Sequence, residues 1–228
     1  MFFRVFAISL KRCTIDQNTY YLFVLDKDNI FALVQIKFTM TAEEIKQFII
    51  GGEWVSITTE VRPSISKSAV GGIQPFYLTR LFKYSDGDKF ECVVTNYADP
   101  NGKIPLVKIA IKGHLQWQGE HPLAQGAYKV DYVADTAYEV TPLHQGFADA
   151  INKAPTAGLN SWEVNVMQDV KGKAFLPFGL TEGEIYIDYD LIYIYDNTLY
   201  NGSKNVDGRP FDKPENRPTN LQIGLVRK

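Results

Sequence analysis

Residues 51–63 read GGEWVSITTEVRP, and this stretch decides how the chain folds. It has a strand-like pattern, with one tryptophan, Trp54, just after a glycine pair and with an acid and a base, Glu60 and Arg62, further along the strand. Burying an unpaired charge is costly, so such side chains must be paired or must meet a polar ligand group if they face inward. The stretch therefore predicts either a structural plug at the end of a β-barrel or the wall of a binding site.

The composition restricts the class of protein before any motif is considered. The chain has 228 residues, of which 45% are hydrophobic and 13% aromatic, with 24 basic against 26 acidic side chains. This length and hydrophobic content predict a folded globular protein with a sizeable core. The net charge of −2 gives no electrostatic footprint for nucleic acid or an anionic membrane, so neither is predicted as a partner.

The N-terminus and the cysteines predict a soluble, cytoplasmic protein. The apolar run in MFFRVFAISLKRC (1–13) has the wrong length for a membrane span, and most of its charge follows it, unlike the charge of a secretory signal. Cys13 and Cys92 are isolated and lack metal-type spacing, so we expect two unpaired thiols in a reducing compartment. No transmembrane segment is predicted.

Strand-like segments separated by turn residues predict an all-β chain. Two apolar runs around residues 26–29 predict a hairpin in an N-terminal extension, residues 1–38, and residues 39–228 are predicted to form a single domain. Residues 39–50 and 143–154 predict one short helix each. The predicted strands of the domain are 53–62, 76–85, 89–98, 105–118, 126–140, 160–170, 184–195 and 219–227. Eight strands are about the number that closes a ligand-sized antiparallel barrel.

The strand FYLTRLFKY (76–84) aligns a charge with apolar side chains. A period of two places Phe76, Leu78, Arg80 and Phe82 on one face. If that face lines a cavity, the guanidinium of Arg80 must meet a carboxylate. A ligand head group or an internal partner such as Glu60 would supply it, and the sequence leaves both alternatives open.

Catalytic and metal motifs are not recognisable in the sequence. The three histidines, His114, His121 and His144, fall in a strand, a turn and a helix start, a spacing that does not favour a metal site. There is no Gly-rich phosphate loop, Gly-x-Ser-x-Gly elbow or paired cysteine motif. We therefore predict neither a metal nor a cofactor.

Five sequence blocks resemble the domain of the adenomatosis-polyposis-coli-down-regulated family over roughly residues 51–228. They are EWVSITTEVRP (53–63), YLTRLFKY (77–84), YADP (97–100) with Pro105, KGHLQWQG (112–119) and NVDGRPFDKPENRPTNLQIGLVR (205–227). The resemblance implies a lipocalin-related β-barrel with a hydrophobic cavity, which in animal members binds lipid and is linked to inhibition of Wnt signalling. Thr59 and Asn101-Gly102 stand where the family has cysteines, so neither that disulfide nor the signalling role is carried over.

Trp54 also has a counterpart in lipocalin-type barrels, because Gly52-x-Trp54 is similar to the Gly-x-Trp at their first strand. There the tryptophan closes the base of the barrel and a late arginine stacks on it. The similarity implies that Arg227, near the end of the chain, makes this cation–π contact with Trp54.

The first hypothesis is a binding module, an antiparallel lipocalin-like (calycin-like) or half-open barrel that holds an elongated hydrophobic molecule such as a fatty acid or other lipid. The predicted ligand-binding residues are Arg62, Phe76, Leu78, Arg80, Phe82, Tyr97, Trp117 and Tyr132, with Trp54 and Arg227 as a structural plug. The alternative is an enzyme of the same architecture, an isomerase, cyclase or hydrolase that acts on an apolar substrate by acid/base chemistry. Its candidate residues are Glu60, Asp131 and Tyr138, because an apolar cavity raises the pKa of a carboxyl group.

Overall fold

The computed structural model describes four stretches of the chain, residues 19–25, 31–37, 39–67 and 71–228. The chain divides into two compact units, Met1–Thr41 and Ala42–Lys228. No helix among the described residues is long and apolar enough to cross a lipid bilayer.

The first unit contains one pair of antiparallel strands. These are β1 (Thr19–Leu25) and β2 (Phe31–Lys37), in a register that places Leu25 opposite Phe31. Both strands of the predicted hairpin are thus confirmed. Its turn, residues 26–29, and Cys13 lie outside the described residues.

The second unit is built mostly from antiparallel strands with two short α-helices. The helices are α1 (Ala42–Ile49) and α2 (Gln145–Asn152). The strands are β3 (Glu53–Ser56), β4 (Glu60–Lys67), β5 (Ile73–Ser85), β6 (Lys89–Tyr97), β7 (Pro105–Glu120), β8 (Tyr128–Pro142), β9 (Gln168–Asp169), β10 (Ile187–Tyr195), β11 (Thr198–Tyr200) and β12 (Leu225–Arg227). Two 3-10 helices span Leu176–Phe178 and Pro214–Asn216. The all-β class with short helices is confirmed.

These strands join edge to edge into a closed circuit, called the ring below. Its hydrogen-bonded order is β10-β11-β12-β3-β5-β6-β7-β8, and β8 pairs with β10 to complete the circuit. Strand β4 follows β3 along the same edge of β5, with Glu60 opposite Leu78 and Arg62 opposite Phe76. Closure pairs the long strands on both sides, so they expose few unpaired backbone groups.

One face of each ring strand points into the ring. On β5 the buried residues alternate along the chain: Leu78, Arg80, Phe82 and Tyr84. The aromatic ring of Phe82 lies 5.8 Å, centroid to centroid, from that of Tyr132 in β8, which is not a neighbour of β5. A contact between strands that are not neighbours crosses the interior, so this face is the inner one. The alternation predicted for β5 is confirmed.

Aromatic side chains fill one end of the ring interior. The centroid of Tyr132 lies 5.0 Å from that of Phe90, and the rings of Phe82 and Tyr84 stack at 6.0 Å. Towards the other end, the inner face of β7 and β8 is covered by α2 and the segment that follows it. This second core contains Val107, Ile109, Tyr138, Val140, Ala148, Ile151, Trp162, Val170, Phe175 and Leu180.

Helix α1 contacts the ring where β3 begins. Ile45 and Ile49 are buried, as the helical pattern predicts, and the indole Nε1 of Trp54 donates a hydrogen bond to the carbonyl of Ile49 at 2.9 Å. The guanidinium carbon of Arg227 lies 4.8 Å from the centroid of Trp54, so the expected cation–π contact is present. Gly52 permits this approach, because a Cβ at that position would lie 3.0 Å from Cγ of Arg227.

The strand predicted over residues 160–170 is wrong, since only the two residues of β9 are extended there. The side chain of Gln168 holds the segment as a loop: its Oε1 accepts from the amide of Asn160 at 2.8 Å and its Nε2 donates to the carbonyl of Asn160 at 3.1 Å. Asn165 has a φ of 64°, which is incompatible with a strand.

The boundaries of two other predicted strands also differ from the structure. The segment 53–62 divides into β3 and β4, separated by residues 57–59, because β5 pairs first with one and then with the other. The segment 219–227 is extended as a strand only in β12. Strand β11, only three residues long, was not predicted, yet it completes the ring between β10 and β12.

Candidate functional site

Buried charges meet on the inner face where β4 and β5 pair. The carboxylate of Glu60 is fully buried, and its Oε1 accepts hydrogen bonds from Nε of Arg80 at 3.0 Å and from Oγ of Ser56 at 2.6 Å. Its Oε2 accepts from Nη2 of Arg62. One carboxylate therefore serves two guanidinium groups.

Arg80 is held by the protein at all three guanidinium nitrogens. Besides the bond from Nε to Glu60, Nη1 donates to Oδ1 of Asn201 at 2.9 Å and Nη2 donates to the carbonyl of Ile223 at 3.0 Å. Of the two partners that the sequence left open for Arg80, the structure shows the internal carboxylate.

The network continues from Asn201 into the aromatic end of the ring. Its Nδ2 donates to the hydroxyl of Tyr132 at 3.1 Å, which in turn lies 3.0 Å from the hydroxyl of Tyr84. Burial raises the pKa of both phenols above their ordinary value, so they remain neutral hydrogen-bonding groups. Asn201 lies outside every strand and helix that the sequence predicts, so nothing marked it as a partner of Arg80.

Two cations lie on the opposite side of Glu60 from this network. Arg62 is the register partner of Phe76, and the ammonium nitrogen of Lys204 lies 5.4 Å from the ring centroid of Phe76. Burial lowers the pKa of Arg62 to about 10, while the Glu60 carboxylate acts against that shift. Burial also lowers the pKa of Lys204, partly offset by the charge of Asp188. Lys204 therefore belongs to the same charged group, although it lies outside every strand and helix that the sequence predicts.

Strand β10 contributes two acidic side chains to the interior. Asp188 and Asp190 lie opposite Tyr132 and Val130 of β8, both on the inner face. Burial raises the pKa of Asp190 to about 6; burial and the charge of Asp190 raise that of Asp188 to about 8. A period of two along β10 puts these acids on one face, but the alternation alone does not say which face is inside.

The two acids differ in their hydrogen bonds. Oδ1 of Asp190 accepts from the backbone amides of Leu191 and Gly202, both at 2.7 Å. Oδ1 of Asp188 accepts only a long bond, 3.4 Å, from the hydroxyl of Tyr186 among the hydrogen bonds of the described residues. Asp190 is thus fixed by the backbone, whereas Asp188 is the less constrained carboxyl group.

Asp131 does not line the interior as predicted. Its register partner is Tyr189, on the outer face, and its carboxylate forms an ion pair with Arg217 and accepts from Nε2 of Gln118 at 2.8 Å. The partner arginine is far away in sequence, which is why the pattern of β8 alone could not reveal it. Asp131 therefore anchors the C-terminal segment to the outside of the ring.

Two of the predicted ligand contacts lie away from the charged group. Tyr97 is on the outer face, where its hydroxyl lies 3.2 Å from Oγ1 of Thr79. Trp117 lies near α1: its Nε1 donates to Oδ1 of Asp88 at 3.0 Å, and the ammonium of Lys46 lies 5.3 Å from its ring centroid. The predicted residues that the structure brings together on the inner face are Glu60, Arg62, Phe76, Leu78, Arg80, Phe82, Tyr132 and Tyr138.

A cavity of about 280 Å³ opens beside β8 and β10, and its wall includes the segment 171–187 and, from the outer face of β10, Tyr189. Ala134 and Tyr138 contribute inner-face side chains to its wall, and Tyr186, which donates to Asp188, lines it as well. Its volume is close to the lower end of small-molecule sites, about 300 to 1,000 Å³.

Two buried polar atoms lack a hydrogen-bond partner within the described part of the chain. These are Oδ1 of Asn96 and Nδ2 of Asn205. Asn96 is the register partner of Leu78 on the inner face, and Asn205 directly follows Lys204. An unpaired buried polar atom costs about 1 to 3 kcal/mol, so both atoms favour a polar group or water beside them.

A comparison of the chain with protein-family models found no match. The resemblance to the adenomatosis-polyposis-coli-down-regulated family thus stays a prediction, and the function has to be argued from the site itself.

Cys92 is expected to react slowly with thiol reagents in the folded protein. It is buried on the inner face, and burial raises its pKa to about 12, so little thiolate is present at neutral pH. We expect non-reducing mass analysis to find two free thiols, and a disulfide reagent to label Cys92 rapidly only after unfolding. A stable bridge between Cys13 and Cys92 would contradict this prediction and the proposed reducing compartment.

Proposed function

We propose that the ring binds an elongated hydrophobic small molecule, such as a fatty acid or other lipid, within a lipocalin-like barrel. The observation that carries this proposal is the composition of the inner face, where apolar and aromatic side chains surround a small group of buried charges. Ligand sites commonly have such a wall, with few polar groups that orient the ligand. The resemblance described above implies the same kind of ligand.

The packed parts of the interior restrict where the ligand lies. The aromatic cluster around Tyr132 occupies one end, and the second core covers β7 and β8 towards the other, so the ligand belongs against β4 and β5, beside Phe76 and Leu78. Each methylene removed from water there contributes about 0.8 kcal/mol. Affinity is therefore expected to rise with chain length until the space is filled.

Native mass spectrometry of freshly purified protein tests this function. We expect a population heavier than the bare chain by the mass of one small apolar molecule, which organic extraction removes. Titration of the extracted protein with Nile red, followed by displacement with alkanols of 8 to 14 carbons, should show affinity that rises with length. A protein that carries no ligand and binds neither Nile red nor any alkanol would contradict the proposal.

An enzyme of the same architecture is the second candidate, favoured by Asp188. A carboxyl group whose pKa is raised to about 8 is suited to donating or accepting a proton near neutral pH. Glu60 and Asp131, the carboxylates predicted for this role, are instead held by arginines. This candidate predicts that the ligand extracted from an Asp188→Asn variant differs chemically from the one extracted from the unmodified protein. Identical extracted ligands would contradict the enzyme and leave binding as the only proposed function.

A further inference from the structure

We propose that Arg62 and Lys204 form the receptor for an anionic head group, such as a carboxylate, and that Asp188 is its proton-dependent competitor inside the ring. This inference rests on the proposed function, because it describes how one end of the same ligand is held. Of these three residues, the sequence predicts only Arg62 as a ligand contact.

The charges of the interior group are unbalanced when Asp188 is protonated. The interior group contains three cations, Arg62, Arg80 and Lys204, and three acids, Glu60, Asp188 and Asp190. Because burial favours the protonated form of Asp188 at pH 7, the remaining charges sum to an excess of one positive charge when Asp190 is ionised. A buried excess charge is unfavourable, so the site favours one further anion.

Arg62 and Lys204 have more hydrogen-bond donors available to a ligand than Arg80 has. Arg80 donates from each of its three guanidinium nitrogens within the protein, so most of its N–H groups are already used. Arg62 donates to Glu60 through Nη2, and the hydrogen bonds of the described residues include none from its Nε or Nη1. Within the same part of the chain, Lys204 has no carboxylate within 4.0 Å of its ammonium group. Since Arg62 and Phe76 are register partners and Lys204 lies over Phe76, both cations lie beside the same aromatic side chain.

Asp188 is placed to interact with Lys204. Asp190 accepts from the amide of Gly202 at 2.7 Å, and Asp188 on β10 and Lys204 on the segment after β11 each lie two residues from that contact. The charge of Asp188 also raises the pKa of Lys204, as expected for a counter-ion of this ammonium. A protonated Asp188 leaves Lys204 free for a ligand anion, whereas an ionised one replaces that anion. Binding of the anion is therefore coupled to a proton on Asp188, and the affinity must fall as the pH rises through its pKa.

Other groups around Asp188 do not reproduce this behaviour near neutral pH. The phenols and the thiol stay neutral because burial raises their pKa, and Arg62, with a pKa of about 10, stays charged. Asp190 is held by two backbone amides and titrates at lower pH. The titratable or charged groups around the site are Glu60, Arg62, Arg80, Tyr84, Cys92, Tyr132, Tyr138, Tyr186, Asp190, Lys204, Asp212 and Arg217.

The test compares two probes of equal chain length, dodecane-1-sulfonate, which is anionic at every pH used, and dodecan-1-ol. Each displaces Nile red from the extracted full chain below the micellar concentration, between pH 6 and pH 9. We expect the unmodified protein to prefer the sulfonate, and this preference to fall about tenfold between pH 7 and pH 9. Lys204→Met should reduce the preference about tenfold at pH 7, with the affinity for the alcohol unchanged.

Three further variants identify the group that carries the proton and check for general charge effects. Asp188→Asn should keep the preference for the sulfonate constant over the whole pH range, because it cannot ionise. The control variants Lys108→Met and Asp149→Asn, at exposed positions, should behave as the unmodified protein. A pH dependence that persists in Asp188→Asn would assign it to loss of the Lys204 proton and overturn the role of Asp188.

The outcomes separate this inference from the function on which it rests. Equal affinity for sulfonate and alcohol at every pH would overturn the inference while the binding function stands. A preference that Lys204→Met and Arg62→Met leave unchanged would also overturn it. Failure of both probes to displace Nile red, or of Nile red to bind, would contradict the proposed function itself.

Discussion

Glu60→Gln is expected to lower the free energy of unfolding by about 3 to 5 kcal/mol, because it leaves two buried guanidinium groups without their counter-ion. Arg80→Met is expected to cost a similar amount, since it removes the hydrogen bonds to Glu60, Asn201 and Ile223 together. Urea unfolding followed by tryptophan fluorescence measures both effects.

The double variant Glu60→Gln with Arg80→Met separates pairing from packing. If the two side chains stabilise the fold mainly through each other, the double variant should recover at least about 2 kcal/mol of the summed losses. Glu53 and Lys83 provide the matched control, since they join β3 to β5 on the exposed side with 2.8 Å between Oε1 and Nζ. Glu53→Gln and Lys83→Met should each cost less than about 1 kcal/mol. Strictly additive losses at Glu60 and Arg80 would contradict direct pairing.

Trp54→Ala is the second change with a large expected effect, a loss of about 3 to 5 kcal/mol. Trp54 is fully buried between Phe48 of α1 and Arg227, and its indole nitrogen is bonded to the carbonyl of Ile49. Removing the indole leaves a cavity between α1 and the ring of strands and removes one of the two aromatic contacts of the Arg227 guanidinium, the other being Phe48. The melting temperature should fall steeply, while the folded fraction still binds an alkanol.

Trp117→Ala is the matched control for this prediction, because Trp117 lies near the same helix but is only half-buried. Its expected loss is about 1 to 2 kcal/mol, which reflects a smaller buried area and one hydrogen bond to Asp88. An unchanged melting temperature in Trp54→Ala, together with lost alkanol binding, would make Trp54 a ligand contact and contradict the role as a plug.

The sequence predicts those parts of the fold in which local pattern and tertiary environment agree. In β5 a period of two runs through Phe76 to Tyr84, and the buried residues follow it. In α1 the apolar residues Ile45 and Ile49 recur at helical spacing and are buried. Strand β11 has only three residues, too few to show any period, and pairing with its neighbours decides its conformation.

The candidate site was predictable only in part, for a physical reason. A charged residue in a strand normally faces solvent, so Asp188 and Asp190 gave no sign that they face the interior. Lys204 and Asn201 lie in a segment without periodicity, and only closure of the ring brings them beside Arg62 and Arg80. Asp131 shows the opposite error: it was predicted to face the interior, but it lies on the outer face, where it pairs with Arg217. Such partners depend on contacts between distant parts of the chain.

The most direct test of the central claim is photo-crosslinking with a diazirine-bearing C16 alcohol, followed by peptide mapping of the labelled chain. The probe is neutral, so its placement does not depend on the head-group receptor. The proposed binding inside the ring predicts label on inner-face positions such as Leu78, Val94 and Tyr138, and competition by excess unlabelled alkanol. Label confined to exposed apolar positions such as Val61, Ile65 or Val206, or label that alkanol does not displace, would contradict it.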